Sequence, residues 1–456
     1  LQVTQNNVAN ASTPGFVKHR QVLNAMPFDP DGGLVGGVRA GEVISARSAY
    51  ADQAVRSQLF LLGQAEQEVG SMTALQTNFD ISGDSGIPSA LNRLFQSFSA
   101  WGQSPNDTVA RQAVIDRATD VAFAFRQTAG SLSDLARQTE RAAGQTVDSV
   151  NQLAERLRTL NVLARRGARG DSGLDAQIST ALEELSSYAS ITALEQEDGS
   201  VNVLLNGQTA LVAGDKSYPI SVRLSQPDTP PPVYAESPPM LRLFSSDGKD
   251  ITTATVTGQL GGILDTRNRV LPTYLGDAWR QGDLNRMATQ FADRVNALLT
   301  SGVAPDGAAG IGLFTYRSSP TEAARTLTVD ETAVQTARLG AVQPGPPSVS
   351  NGIPLALSAM ANPRDAADEI DGASYTQFFG RLAGRAGAAL NDAESRLKVQ
   401  QSAVAQARNL RQQMSGVSLD EEASILIQFQ RAYEANSRLI AVLDRLSEAT
   451  INILQR

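Results

Sequence analysis

One helical seam constrains this chain more than any other feature. Val114, Ala118, Val121, Phe125, Thr128, Leu132, Leu135, Thr139 and Ala142 recur in steps of four and three, the rhythm of a helix that buries a narrow stripe against a partner. Two successive four-residue steps, Ala142 to Thr146 to Val150, read as a stutter that shifts the stripe locally. The rhythm resumes at Leu153, Leu157, Leu160 and Ala164. One helix over 107–166 would be roughly 90 Å long, beyond the usual globular length, so an elongated, mainly α bundle is expected.

Further stripes surround it. Leu62, Ala65, Val69, Met72 and Phe79 share one face, and the sequence from Gly83 to Pro88 breaks the pattern. Leu91, Leu94, Phe95, Phe98 and Trp101 follow as a second amphipathic helix. Gly167 to Gly173 ends the long helix, and Leu174 to Leu194 reads as a shorter one. Alternation then takes over in Val201, Val203 and Leu205, in Leu211, and in Ile220, Val222 and Leu224. The prolines from Pro227 to Pro239 interrupt it, and Met240 to Phe244 with Ile251 to Val256 are expected to complete a small antiparallel β unit. Helix returns up to Leu299, with Met287, Phe291, Val295 and Leu298 on one side. Residues 301–364, rich in Gly, Pro and Ser, read as connecting loop, and from Ala373 the chain is helical to its end. In the first fifty residues, Val22, Leu23, Val38, Val43 and Ile44 are short strand candidates around the Gly-laden stretch from Gly32 to Gly41.

The C-terminal helix has the clearest start. Ser418 followed by Glu421 fits a capping box, in which hydroxyl and carboxylate each satisfy an exposed backbone N–H. Leu426, Phe429, Tyr433, Asn436, Ile440 and Leu443 then recur in threes and fours, and Leu439, Leu446 and Ile453 widen the face. Asn436 at a seam position either fixes register, as buried Asn does in coiled coils, or sits at the stripe's edge in water. A single stripe has nothing to bury against in a lone chain, so the terminal helices are expected to be loose until partners arrive.

Composition excludes much chemistry. The 456 residues include no Cys and a single His, His19. Disulfides, thiol nucleophiles and multi-His metal sites within the chain are therefore ruled out. His19 has no nucleophile arrangement around it and is expected to be a solvated loop residue. Glu183–Glu184 and Glu195, Glu197 and Asp198 suit helix surfaces and turns better than paired catalytic carboxylates. Gly307, Gly310 and Gly312 lack the spacing and the Lys of a phosphate-cradling loop. Arg169–Gly170–Asp171 spells an adhesion tripeptide that a Gly-rich helix end explains. No enzyme activity and no cofactor are expected. A net charge of −8 argues against nucleic acid, and no apolar run approaches the length of a membrane span. Residues 1–10 do not read as a secretory signal peptide. The chain opens at Leu1 inside an amphipathic pattern and without a Met, so residues are expected to precede it.

Several segments carry a family resemblance. Asn6–Asn7–Val8–Ala9–Asn10, running to Thr13–Pro14–Gly15–Phe16, resembles a signature shared by bacterial flagellar rod, hook and hook-associated proteins. Arg111–Gln112–Ala113–Val114–Ile115 is similar to the central helix of the hook-associated protein 1 family. Leu260–Gly261–Gly262–Ile263–Leu264 with Arg267, then Phe291–Ala292–Asp293 and Val295–Asn296, resemble its next helical pair. Ser415–Gly416–Val417–Ser418–Leu419–Asp420–Glu421–Glu422 with Gln430, Tyr433, Ala435 and Asn436 resemble its C-terminal signature.

The resemblance implies a structural protein of the hook–filament junction, assembled as a ring and located outside the cell on the flagellum. Its implied partners are hook protein, a second hook-associated protein, neighbouring copies of itself and a cytoplasmic chaperone for type III export. The implied organisation has four parts. Residues 1–49 with 415–456 form a terminal, channel-lining helical region in which the N- and C-terminal helices pair. Residues 50–198, 259–300 and 365–414 form the long-helix bundle, 199–258 a β unit, and 301–364 a connection without the large outer β domain of many relatives. Leu426, Phe429, Tyr433, Asn436, Ile440, Leu443, Asn6, Asn7 and Asn10 are the expected assembly interface, with Ser418 and Glu421 as helix cap. Alternatives are another axial protein (second junction protein, hook or rod component) and an exported peptidoglycan hydrolase, for which no catalytic constellation is visible.

Overall fold

The computed structural model describes residues 1–29, 34–79, 85–166, 171–226, 230–234, 236–255, 257–330 and 334–454. Gly32, Gly83, Gly167, Arg169, Gly170, Pro227, Val256 and Arg456, which figured in the expectations above, lie outside the described residues. In chain order the elements are α1 (Gln2–Ala9), β1 (His19–Asp29), β2 (Leu34–Ser45), α2 (Ala49–Gln76), α3 (Gly86–Gln103), α4 (Thr108–Arg165), α5 (Ser172–Tyr188), β3 (Ile191–Glu195), β4 (Val201–Leu205), β5 (Thr209–Ala213) and β6 (Lys216–Ser217). There follow β7 (Ser221–Ser225), β8 (Met240–Phe244), α6 (Gly258–Asp265), α7 (Leu271–Leu275), α8 (Asp283–Ser301), β9 (Phe314–Thr315), α9 (Ala323–Thr326), β10 (Thr328–Val329), α10 (Gly352–Ala359), α11 (Tyr375–Ser415) and α12 (Leu419–Leu454). The fold is mainly α with small antiparallel sheets, as expected.

The long seam is one helix of 58 residues, α4. Its buried positions include Val121, Phe125, Ala129, Leu132, Leu135, Thr139, Ala143, Thr146 and Val150. Ala129 and Ala143 take the places expected for Thr128 and Ala142, which are only half-buried. The paired four-residue steps thus fall at Phe125 and Thr139 rather than at Thr146. Each such pair lets the buried face keep pace with 3.6 residues per turn instead of drifting off it.

The chain divides into two units. Residues Gly63–Ser149 and Ile220–Val399 form one of them, around a single apolar core. Phe291 on α8 sits at its centre, with ring centroids 5.2 Å from Tyr375, 5.6 Å from Phe314 and 6.3 Å from Phe95. Residues 301–364 are more than the expected connection: Leu313, Phe314, Leu327, Leu339, Ile353 and Leu357 are buried in this core, and α10 packs on α3. The Gly and Pro content hid them because their apolar residues come in short groups between turns. The strands described within 301–364 are the two-residue pair β9 and β10.

Residues Leu1–Leu62, Val150–Pro219 and Gln400–Arg456 form the other unit. The β unit expected at 199–258 is two separate sheets, β3–β4–β5–β6 in this unit and β7–β8 in the first. After β6, Tyr218 still donates to the Leu211 carbonyl at 2.8 Å, but Pro219 cannot continue the ladder, because Pro has no N–H to donate. The helix expected up to Leu194 stops at Tyr188, where the β-branched Ile191 and Thr192 pair instead with Leu205 and Leu204. The described residues Ile251–Thr255 of the expected strand are no strand, since Asp250 accepts from the Thr252 amide at 2.8 Å and folds Thr252–Ala254 into a 3₁₀ turn. Residues 1–49 are not chiefly helical either. α1 has eight residues, and β1 and β2 form a long antiparallel hairpin from His19↔Ser45 to Asp29↔Leu34.

Candidate assembly interface

α12 begins where Ser418 ends the short link after α11. The Ser418 hydroxyl accepts from the Glu421 amide at 3.4 Å, but the Glu421 carboxylate turns away to the Lys18 ammonium. Only half of the expected capping box forms, because a full charge on Lys18 outbids a neutral backbone N–H for the carboxylate. The hydrogen bond from Lys18 holds the Glu421 carboxyl below its ordinary range. Asp420, Glu421 and Glu422 in the first turn also oppose the positive end of the helix dipole.

Beyond that turn α12 is bare. Leu426 is half-buried, while Phe429, Tyr433 (72% exposed), Asn436, Ile440 (60% exposed) and Leu443 lie open to solvent, as do Leu439 and Leu446. The side chain of Ile453 lies outside the described residues. Asn436 therefore has no seam within its own chain in which to set a register. Continuous apolar faces left in water often mark interaction sites in proteins, and α12 carries such a face. The hairpin adds to it: Leu23, Met26, Val38, Val43 and Ile44 are exposed on β1 and β2.

The asparagines of the N-terminal signature separate into different roles. Asn6 is exposed and donates to the Ser172 hydroxyl at 3.2 Å. Asn10 donates to the Asn6 carbonyl at 3.0 Å and accepts from the Thr13 hydroxyl at 3.2 Å, closing the turn after α1. Asn7, grouped with them as interface, is instead buried. Its amide donates to the His19 carbonyl at 2.9 Å and to the Glu422 carboxylate at 3.0 Å, and its own carbonyl accepts from the His19 amide at 2.9 Å. His19 is not the solvated residue expected from its setting. It is buried, with its Nδ1 2.9 Å from the Val17 carbonyl and its ring 5.5 Å from that of Phe16. A loop His becomes a buried one here because Asn7 holds its backbone from both sides.

The turn through Pro14 is packed rather than free. Gly15 has φ +74°, and a Cβ there would lie 2.5 Å from the Ala176 carbonyl oxygen on α5, so only Gly admits this approach. Arg47 donates to the Gly15 carbonyl at 2.7 Å, to the Ser179 hydroxyl at 2.9 Å and to Asp52 at 2.8 Å. Arg411 on α11 joins this group through Glu183 and lies 3.6 Å from Asp52. Burial lowers the Arg56 guanidinium and raises the Asp175 carboxyl from their ordinary values. Glu183 is thus committed to an ion pair, and Asp198 accepts from the Ser200 amide at 3.0 Å and pairs with Arg165 at 3.1 Å.

A cleft of about 1450 Å³ runs along α1, the base of the hairpin and the first turns of α12. No group of three or more His, Cys, Asp or Glu among the described residues is placed to hold a metal. No described helix is long and apolar enough to cross a membrane. Lys18 and Glu422 escaped the reading of the sequence, although Glu422 stood at the end of the C-terminal signature.

Comparison with known proteins bears on this arrangement. A family model described as the flagellar hook-associated protein FlgK helical domain matches residues 72–314. A second, the flagellar basal body rod FlgEFG protein C-terminal model, matches 411–453, which is nearly the whole of α12. Flagellar hook-associated protein 1 of Bacillus subtilis (strain 168) is 26% identical over 500 residues, covering 99% of this chain and 94% of that protein. The protein of that name in Escherichia coli (strain K12) is 23% identical, covering 99% and 96%. That of Salmonella typhimurium is 25% identical over 351 residues, 74% of this chain but 60% of its own length. The structure of the flagellar hook junction protein FlgK from Burkholderia pseudomallei shares the fold, with TM-score 0.67 and 14% identity over 80% of this chain and all of that one.

Proposed function

This chain belongs to the flagellar hook-associated protein 1 family, and from that premise we propose that its bare terminal helix is the surface through which it is built into the flagellar axis. It is a structural component of the flagellum, acting at the junction of hook and filament. The observation that carries the proposal is α12, whose apolar face from Ile427 to Ile451 is in water. Neighbouring copies cover that face in head-to-tail contacts, the geometry of rings and helical assemblies. The hook protein lies on one side of the ring and a second hook-associated protein on the other. Leu426, Phe429, Tyr433, Asn436, Ile440 and Leu443 make these contacts, with the exposed Asn6 and the turn at Asn10 at their base.

In this reading residues 1–49 and 415–456 line the axial channel, and the helices of 50–198, 259–300 and 365–414 form the long-helix bundle, with 199–258 and 301–364 completing the chain. The chain reaches its place by type III export with a cytoplasmic chaperone. A chain without Cys suits passage through a narrow pore, since no disulfide can close a loop in it. The match of 72–314 to the helical domain of one family favours this junction role over that of a hook or rod component.

The test is genetic and biochemical. Cells lacking the gene are expected to build hooks, carry no filaments and shed flagellin monomer. Normal filaments in that strain would refute the junction role. The chain truncated before Ser418 is expected to stay soluble and to fail to join hook tips. Undiminished hook binding by that truncation would remove α12 from the mechanism.

A further inference from the structure

The segments that carry the resemblance at the two chain ends meet at one buried point. Asn7 lies on α1, Lys18 and His19 stand at the entry to β1, and Glu422 lies in the first turn of α12. Asn7 and Glu422 are each 1% exposed. Asn7 spends both amide hydrogens and its carbonyl there, on Glu422 and on both backbone groups of His19. No other residue type of that size supplies two donors and an acceptor in this geometry, and Asp would set a second carboxylate against Glu422.

A buried carboxylate needs a countercharge. The Lys18 ammonium lies 3.7 Å from Glu422 and also hydrogen-bonds Glu421, while the Lys18 amide donates to the Ser415 carbonyl at 2.9 Å. The start of α12 is thus held by side chains, and the end of α11 just before it by the Lys18 backbone. The contact is specific to one register. A slip of α12 by one residue would turn it by about 100° and bring Glu421 or Ala423 to Asn7. Phe429, Tyr433 and Ile440 would then face elsewhere.

We propose that Asn7, Lys18 and Glu422 form a register lock between the two chain ends, which aims the apolar face of α12 at neighbouring copies. The lock rests on the assembly role of that face and adds to it the device that sets its direction. Asn7 and Glu422 act without touching the neighbour, so they are positioning residues.

The full chain tests this in two ways. Carbodiimide treatment of the wild-type protein is expected to join the Lys18 amine to Glu421 or Glu422, detected by mass spectrometry of the digest. Asn7→Ala is expected to reduce that product, whereas Tyr433→Ala, on the exposed face, is expected to leave it intact. In binding to isolated hooks, Asn7→Ala and Glu422→Gln are each expected to cost about tenfold in affinity, and the double variant about the same tenfold, because they cut one unit. Should either variant lose the helical circular-dichroism signal of the wild type, Lys18→Met takes its place with the same loss expected.

Absence of the Lys18 product in the wild type overturns the lock, as do losses that simply multiply in the double variant. If the lock variants bind hooks like the wild type while Tyr433→Ala does not, the lock falls and the assembly role of α12 stands. If all of them bind normally, both fall.

Discussion

Ile440→Ala separates assembly from folding, and the size of its effect follows from exposure. Ile440 is 60% exposed on α12, so a neighbour can remove at most that share of its surface from water. Full burial of such a side chain stabilises by about 1.5–3 kcal/mol. Truncation at the interface therefore costs about 1–2 kcal/mol, or about five- to thirtyfold in affinity for the hook tip. The folded monomer should scarcely notice the change, because little of the side chain is buried in it. Leu357→Ala supplies the contrast. Leu357 on α10 is fully buried in the core, and its truncation is expected to lose about 2–5 kcal/mol of folding stability. The assay pairs thermal unfolding of each purified variant with its binding to isolated hooks. The expected pattern is an unchanged melting temperature with weakened binding for Ile440→Ala, and a lowered melting temperature for Leu357→Ala. A melting temperature that falls as far for Ile440→Ala as for Leu357→Ala would show that α12 is covered within the chain and refute the reasoning.

Other outcomes are expected. Asn285 donates to the Leu275 carbonyl at 2.7 Å and the Thr321 carbonyl at 2.9 Å and accepts from the Ala324 amide at 2.9 Å. Asn285→Ala should therefore lower stability by about 2–4 kcal/mol, measured as a shifted urea midpoint. Gly15→Ala meets both a positive φ and the Ala176 carbonyl; faster hydrogen exchange in 13–17 and 172–180 should report the turn lifting off α5. Burial, aided by nearby carboxylates, pushes the hydroxyls of Tyr316 and Tyr375 up to about 12. Both bind their protons more tightly folded than unfolded, so their contribution is complete below pH about 10 and lost as pH rises towards about 12. Burial raises the Tyr274 hydroxyl as well, so ultraviolet titration should show a group of late phenols that loses one member in Tyr316→Phe.

Periodicity was legible wherever one element buried one face. The rhythm of α4, the stripe of α3 and the face of α12 could be read from residue types alone, because a helix repeats its contacts every three or four residues. The exposure of α12 followed from the same reasoning, since a stripe with no complementary stripe must look outside its chain. Residues 301–364 were misread for the converse reason. Their buried side chains come in small groups between turns, such as Leu313–Phe314 or Ile353, Leu357 and Met360, and burial there depends on a core built mostly from other segments.

The amino-acid sequence by itself determined the helical class, the lack of thiol and multi-His chemistry, and the free apolar face at the C-terminus. These follow from composition and local spacing, which need no knowledge of the rest of the chain. Only the tertiary structure decided which asparagine is buried, that His19 is enclosed, that Glu421 leaves its own helix end for Lys18, and that Asn7 meets Glu422 across the length of the chain. Such contacts join residues hundreds of positions apart. A polar side chain's partner is set by which groups folding leaves without water, and no local pattern records that.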